Sequence, residues 1–219
     1  MKKTAFCSIA HVCKNRERVS NSKKYVNTQV KLNICCWDVR TLLDNISSKR
    51  AERRTALVTK ELQRLNIDVA ALSETRLSDE DQLVGTSTGY TFVWVGKPKG
   101  EQHGGDVGFA ILTDLVDQLE CPYSMTNRIM KVCIPLSCGR YLSILSVYVP
   151  TLQVTEDTLP SFYSALRIAV TVIPKEEKLI LLGDFNARVG LRLLELCSDC
   201  DLVISNTFFW QKGKHKVTL

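Results

Sequence analysis

Five residues of this chain are of types that could do chemistry together, and all five stand in the same local setting. Asp38, Glu74, Tyr148 and Asp184 each end or closely follow a short apolar run, and Asn186 lies two residues beyond the last of them. Carboxylates and an amide oxygen gathered in one place suit a hard cation such as Mg²⁺, which takes oxygen ligands and keeps waters. Zinc needs a different set. The histidines are scattered at His11, His103 and His215, and Cys197 and Cys200 form a lone C-x-x-C among nine cysteines. A structural zinc site would ask for a second such pair or two nearby imidazoles. That C-x-x-C falls at the end of a helical pattern, not at a helix start after a strand, which argues against a thioredoxin-like role. The thiols read as reduced and mostly buried. Taken alone, Asp184 and Asn186 read equally well as a strand followed by an Asp/Asn turn, because both side chains bond nearby backbone.

The elements that would position these residues are legible in the hydrophobic pattern. KLNICCWDV is a buried strand with Leu32, Ile34 and Cys36 on one face and Asp38 at its exit. Residues 48–65 read as a helix with Val58, Leu62 and Leu65 on one stripe, and DVAAL at 68–72 as the next strand, leading to Glu74. Strand, helix and strand at this spacing form a βαβ unit, whose strands are parallel and whose carboxyl ends share an edge. TFVWV and VGFAIL make a hairpin, with Gly104, Gly105 and Gly108 marking tight turning and close backbone approach. A second hairpin pairs KVCIPL with YLSILSVYV and ends at Tyr148 and Pro150. Thr155 caps a helix with Leu159, Phe162, Leu166, Ala169 and Ile173 at helical spacing. The apolar run Leu179 to Leu182 then delivers Asp184. A short helix, a strand of type LVIS and a C-terminal hairpin complete the expected order.

Bulk properties bound the class. At 219 residues, with 45% hydrophobic and 24% charged residues, the chain has the composition of a globular protein with one substantial core. No window approaches the roughly 18 consecutive apolar residues of a spanning helix, and no membrane partner is expected. The start resembles a signal peptide only superficially, so an intracellular location is expected. Residues 1–30 hold Lys2, Lys3, Lys14, Arg16, Arg18, Lys23 and Lys24 against Glu17, and read as a basic, flexible extension ahead of a domain at 31–219. The net charge of +6 favours polyanionic partners, nucleic acid first.

Five motifs in order resemble the endonuclease/exonuclease/phosphatase superfamily: CWDVRTL, ALSETRL, GGDVGFAI, SVYVPT and LLGDFNARVG. Within it the chain is most similar to the endonuclease domains of non-LTR retrotransposons and to craniofacial development protein 2-like proteins. The resemblance covers about 31–219. It implies a four-layer α/β sandwich, two face-to-face mixed sheets with outer helices, that hydrolyses phosphodiesters of DNA with Mg²⁺, or Mn²⁺ as the alternative. It further implies that Glu74 binds the metal and position 38 supplies a second contact. Tyr148 would donate to a phosphate oxygen, Asp184 would position water or assist the leaving oxygen, and Asn186 would hydrogen-bond the phosphate. Arg40, Arg76, Thr151 and Arg188 follow these motifs as substrate contacts, while the plain reading of each arginine is a solvated surface charge. A DNA substrate implies a nuclear location, and no obligate protein partner is evident.

The chain departs from the family pattern in three ways. Asp38 replaces the usual Asn, so a third carboxylate joins Glu74 and Asp184 and one of the three should hold its proton more readily. Gly190 is joined directly to Leu191, where the family carries a longer loop. The family's terminal catalytic histidine lies beyond Leu219, and His103 and His215 read as ordinary loop histidines. A C-terminally incomplete fold with impaired activity is therefore expected, since a positioned general base is worth roughly 10²- to 10⁴-fold. A non-catalytic nucleic-acid- or protein-binding remnant is the alternative. A phosphatase of phosphomonoesters fits less well, because the chain has no lipid-facing apolar segment.

Overall fold

Residue alternation along the strands sorts the side chains into three hydrophobic layers. The computed structural model describes residues 32–44, 53–85, 89–101, 105–136, 139–150, 158–185 and 191–204. The basic extension at 1–30 and the C-terminal hairpin lie outside the described residues. The element order is β1 (Ile34–Asp38), α1 (Arg54–Arg64), β2 (Val69–Ser73), β3 (Glu80–Gly85), β4 (Tyr90–Val95), β5 (Val107–Leu112), α2 (Thr113–Val116), β6 (Glu120–Thr126), β7 (Ile129–Pro135), β8 (Tyr141–Tyr148), α3 (Thr158–Thr171), β9 (Lys178–Asp184) and α4 (Leu191–Asp199).

Two mixed sheets result. The first has the order β1-β2-β5-β4-β3 and the second β6-β7-β8-β9. Only β1 with β2 and β8 with β9 are parallel among the described pairs, each joined through a helix. Those crossovers are the two places where a chain must travel back to the same end of a sheet, and a helix is the usual vehicle.

The middle layer lies between the sheets. Ile34, Val69, Ala71, Val93, Phe109 and Ile111 from the first sheet meet Met130, Val132, Leu142, Ile144 and Leu182 from the second. The alternate residues point outward. Cys35, Ala70, Leu72, Phe92 and Ala110 pack under Val58 and Leu62 of α1. Ile129, Leu145 and Val147 pack under Phe162, Leu166 and Ala169 of α3 and Leu193 and Leu196 of α4. The inner strands of both sheets are thus buried on both faces and read as nearly continuous apolar runs. Helix, sheet, sheet and helix form the four layers.

Two expected details turn out differently. Leu202, Val203 and Ile204 form no strand; Val203 is exposed, and Leu202 is tied by its N–H to the Cys197 carbonyl as the chain leaves α4. Leu65 sits at the C-cap of α1, about two-fifths exposed, off the buried stripe of Val58 and Leu62. The N-terminus of α1 is capped from a distance, Asp44 Oδ1 accepting the Arg54 N–H at 2.8 Å. A carboxylate there meets both an orphan donor and the positive end of the helix dipole.

Candidate active site

Register places the site residues. In the second sheet Tyr148 and Asp184 are direct partners across the parallel pair β8 and β9, both the last residues of their strands. In the first sheet Asp38 ends β1 opposite Ser73, the last residue of β2, and Glu74 follows. Side chains repeat every second residue along a strand. Ile34 and Cys36 face the space between the sheets, so Asp38 continues that row; Ile180 and Leu182 do the same for Asp184, and Tyr148 itself belongs to that layer. Polar groups at the open ends of inward-facing rows meet across the seam between two sheets.

Glu74 reaches the same place by another route. Val69, Ala71 and Ser73 hold the inward parity of β2, so simple alternation would send residue 74 outward. Its backbone turns instead into the left-handed region, with φ of 56°, as do those of Arg40 and Arg76 at 60° and 56°. Each such residue costs about 1–2 kcal/mol. Three of them within the two exit loops fix where those loops aim. The loops are also sewn together, Val39 N–H donating to the Ser73 carbonyl at 3.1 Å and Leu42 N–H to the Thr75 carbonyl at 2.8 Å.

The result is a contact across the sheets. Tyr148 Oη donates to Glu74 Oε1 at 2.7 Å, and Arg76 Nη2 lies 3.7 Å from the other oxygen, Oε2. Asp38 is held by the Arg40 N–H, which donates to its Oδ1 at 2.8 Å. Partial burial pushes the Asp38 carboxyl up from its ordinary value; the Arg40 N–H opposes this, the Glu74 and Asp184 carboxylates add to it, and the Arg40 guanidinium again opposes it. The structure thus brings Asp38 within electrostatic reach of Glu74 and Asp184.

Gly183 explains how Asp184 comes so close to Tyr148. Its φ is 148°, and a Cβ there would lie 1.8 Å from the Val147 carbonyl oxygen. No side chain fits between β9 and β8 at that point. Past it, the Val149 N–H donates to the Asp184 carbonyl at 3.0 Å and extends the pairing beyond the strand ends.

Two residues emerge that the sequence did not single out. Asp106, in the GGD motif, is fully buried, and its carbonyl accepts the Thr75 N–H at 3.3 Å beside Glu74. Arg128, in the tight turn between β6 and β7, lies with its guanidinium carbon 5.4 Å from the centre of the Tyr148 ring. An acid directly after two glycines and before an apolar strand was the available signal for Asp106. Arg128 had none, because β6 itself was not legible. Of the other expected residues, Arg40 and Arg76 are exposed at the rim, whereas Thr151, Asn186 and Arg188, like His103 and His215, lie outside the described residues.

A model of the Endonuclease/Exonuclease/phosphatase family matches residues 35–213. The chain belongs to that family. It is 25% identical over 205 residues to craniofacial development protein 2 of Bos taurus, covering 83% of this chain and 32% of the relative. The Tragulus javanicus protein of the same name is 24% identical over 202 residues, covering 83% and 33%. The chain spans about a third of the length of these relatives. Among solved structures, the AP endonuclease LMAP from Leishmania major matches with a TM-score of 0.50 at 16% identity, covering 71% of this chain and 55% of that one. A family member from Leptotrichia buccalis gives 0.50 at 14%, covering 76% and 71%. The fold is that of the family, two mixed sheets with helices. No helix among the described residues is long and apolar enough to cross a membrane.

Proposed function

We propose that this chain is a divalent-metal-dependent phosphodiesterase domain acting on DNA, of the retrotransposon endonuclease type. One observation carries the reading. Two parallel strand pairs from different sheets end at one place and present Asp38 and Glu74 opposite Tyr148 and Asp184, with Tyr148 bonded to Glu74 at 2.7 Å.

The donor set suits a hard cation. Among the described residues no three acidic, histidine or cysteine side chains sit closely enough to cage an ion. Mg²⁺ is ordinarily bound through one or two carboxylates while it keeps several waters, so Glu74 and Asp38 are sufficient ligands of the right kind. Mn²⁺ shares that oxygen preference. Bound there, the ion would polarise a phosphoryl oxygen and offset charge that develops in the transition state.

The remaining work falls to the chain's own groups. Tyr148, whose O–H donates to Glu74 in this structure, would present that O–H to a non-bridging phosphate oxygen. Donors fixed before reaction stabilise charge without reorganising. Asp184, one strand away, accepts a proton from the attacking water or orients it. Asn186, two residues on, donates to the phosphate. Arg40 and Arg76 at the rim, with Thr151 and Arg188, hold the flanking backbone, where arginine's fork suits phosphate. The net charge of +6 and the basic residues at 1–30 support a polyanionic substrate and fit a nuclear setting.

Nicking of supercoiled plasmid tests the reading. Cleavage with Mg²⁺ or Mn²⁺ that disappears in Asp184→Ala is the expected result. No cleavage at any concentration of either ion overturns the catalytic reading, and salt-dependent DNA binding without cleavage would then assign the domain a binding role.

A further inference from the structure

We propose that buried Asp106 and half-buried Arg128 together position the Tyr148 side chain beside Glu74. Asp106 is fully buried. A buried carboxylate needs an opposite charge and hydrogen bonds to be tolerated. The cation whose field reaches it is the half-buried Arg128, whose guanidinium is pushed down by burial and held up by the charges of Tyr148 and Asp106.

The space for that guanidinium is made by Gly105. A Cβ at residue 105 would lie 2.2 Å from the Arg128 Cζ and Nη1 and 2.6 Å from Nη2. The guanidinium therefore occupies the volume a side chain would fill, directly against the backbone that leads into Asp106. Its other side serves Tyr148. The cation lies over the phenol ring at 5.4 Å, within the range of a cation–π contact. Arg128 Nη1 also donates to the Tyr148 carbonyl at 3.4 Å, and the Tyr148 N–H donates to the Arg128 carbonyl at 3.0 Å. Tyr148 is gripped at its ring and at both backbone polar groups by one residue.

The same dipeptide also reaches the other end of the Tyr148–Glu74 bond. The Asp106 carbonyl accepts the Thr75 N–H, which follows Glu74 directly. Residues 105 and 106 thus connect the loop bearing the acceptor to the arginine that holds the donor. Lysine cannot replace Arg128 in this role, because it lacks the planar fork that stacks on a ring while donating sideways. Arg128 and Asp106 act through Tyr148 and not on substrate.

This inference rests on the nuclease reading for its kinetic arm, so the test has a second arm that needs no activity. In the full chain, Arg128→Lys and Asp106→Asn are expected to lower kcat about ten- to hundredfold, the usual effect of removing a supporting partner, with KM within about twofold. Arg128→Lys added to Tyr148→Phe should cost nothing further. Multiplied effects in the double variant, or a raised KM with kcat intact, would overturn the positioning role in favour of direct substrate contact. The second arm is NMR of ring-labelled tyrosine. The Tyr148 Cζ resonance, assigned by its loss in Tyr148→Phe, should shift in Arg128→Lys and in Asp106→Asn. An unmoved resonance overturns the proposal. If nothing is cleaved but the resonance moves, the pair stands and the nuclease reading fails alone. Should Asp106→Asn not fold, Arg128→Lys decides, since it keeps the charge beside Asp106.

Discussion

Tyr148 and Glu74 are 74 residues apart in sequence, belong to different sheets, and share a hydrogen bond of 2.7 Å. It links the two halves of the candidate site directly. Glu74 also faces Arg76 through its second oxygen, so both carboxylate oxygens are engaged before any ligand arrives.

Tyr148→Phe removes the donor and leaves the ring in place. A net hydrogen bond is worth about 1 kcal/mol, so urea unfolding should show a loss of that size and no more. Cleavage of plasmid should fall on the order of 10²-fold, the usual effect of losing one preorganised donor. A large stability loss with unchanged cleavage would contradict this.

Asp38→Asn tests the crowding of carboxylates. A carboxyl raised on folding binds its proton more tightly in the folded state. Its contribution to stability is therefore present below the ordinary value of 3.8 and is lost as pH climbs toward the raised one. Asn keeps an oxygen for the Arg40 N–H and carries no charge. The variant should melt higher than the native chain at neutral pH in EDTA, and the difference should close as the pH falls below 3.8. Equal melting temperatures across that range would show that the charge is not strained.

Gly183→Ala is expected to be among the most damaging single-methyl additions. The new Cβ would lie 1.8 Å from the Val147 oxygen and 2.8 Å from its carbonyl carbon, both of them backbone atoms of β8, the parallel partner of β9. The left-handed φ adds strain. A loss of roughly 2–4 kcal/mol is expected by chemical denaturation. A loss below about 0.5 kcal/mol, the level of an ordinary surface change, would mean that the strands separate freely there.

Leu166→Ala probes the outer helical layer. Leu166 is fully buried in the cluster that joins α3 to β7 and β8. Truncation of such a leucine typically costs about 2–5 kcal/mol, and refilling by Leu166→Met should recover most of it. Recovery by neither residue would point to a backbone rearrangement.

The sequence made the buried strands visible because their residues are apolar on both faces. β1, β2, β4, β5, β7, β8 and β9 all appear as such runs, and the parallel pairing of β1 with β2 followed from the helix between them. β3 was not legible: EDQLVG is exposed or half-exposed throughout and is a strand only because β4 offers it hydrogen bonds. β6 carries Pro122 and register shifts between Glu120 and Tyr123 and between Ser124 and Thr126, which erase the alternation. At the site, Asp38, Tyr148 and Asp184 could be placed because they continue an inward row. The aim of Glu74 depends on a left-handed turn that no hydrophobic pattern encodes. Arg128 depends on a cavity beside Gly105, which exists only after the sheets have paired.

The order of the strands has a further consequence. β1 to β5 all lie in one sheet and β6 to β9 all lie in the other, so among the described elements the chain passes between sheets once, through α2. Each half of the polypeptide brings two of the four groups, Asp38 and Glu74 from the first and Tyr148 and Asp184 from the second. Affinity for a ligand at the seam is therefore thermodynamically linked to docking of the halves. A ligand at 100 times its Kd would hold them together by about 2.7 kcal/mol. Conversely, any weakening of the apolar layer between the sheets would register first as loss of the seam, while each half could still keep its own paired strands.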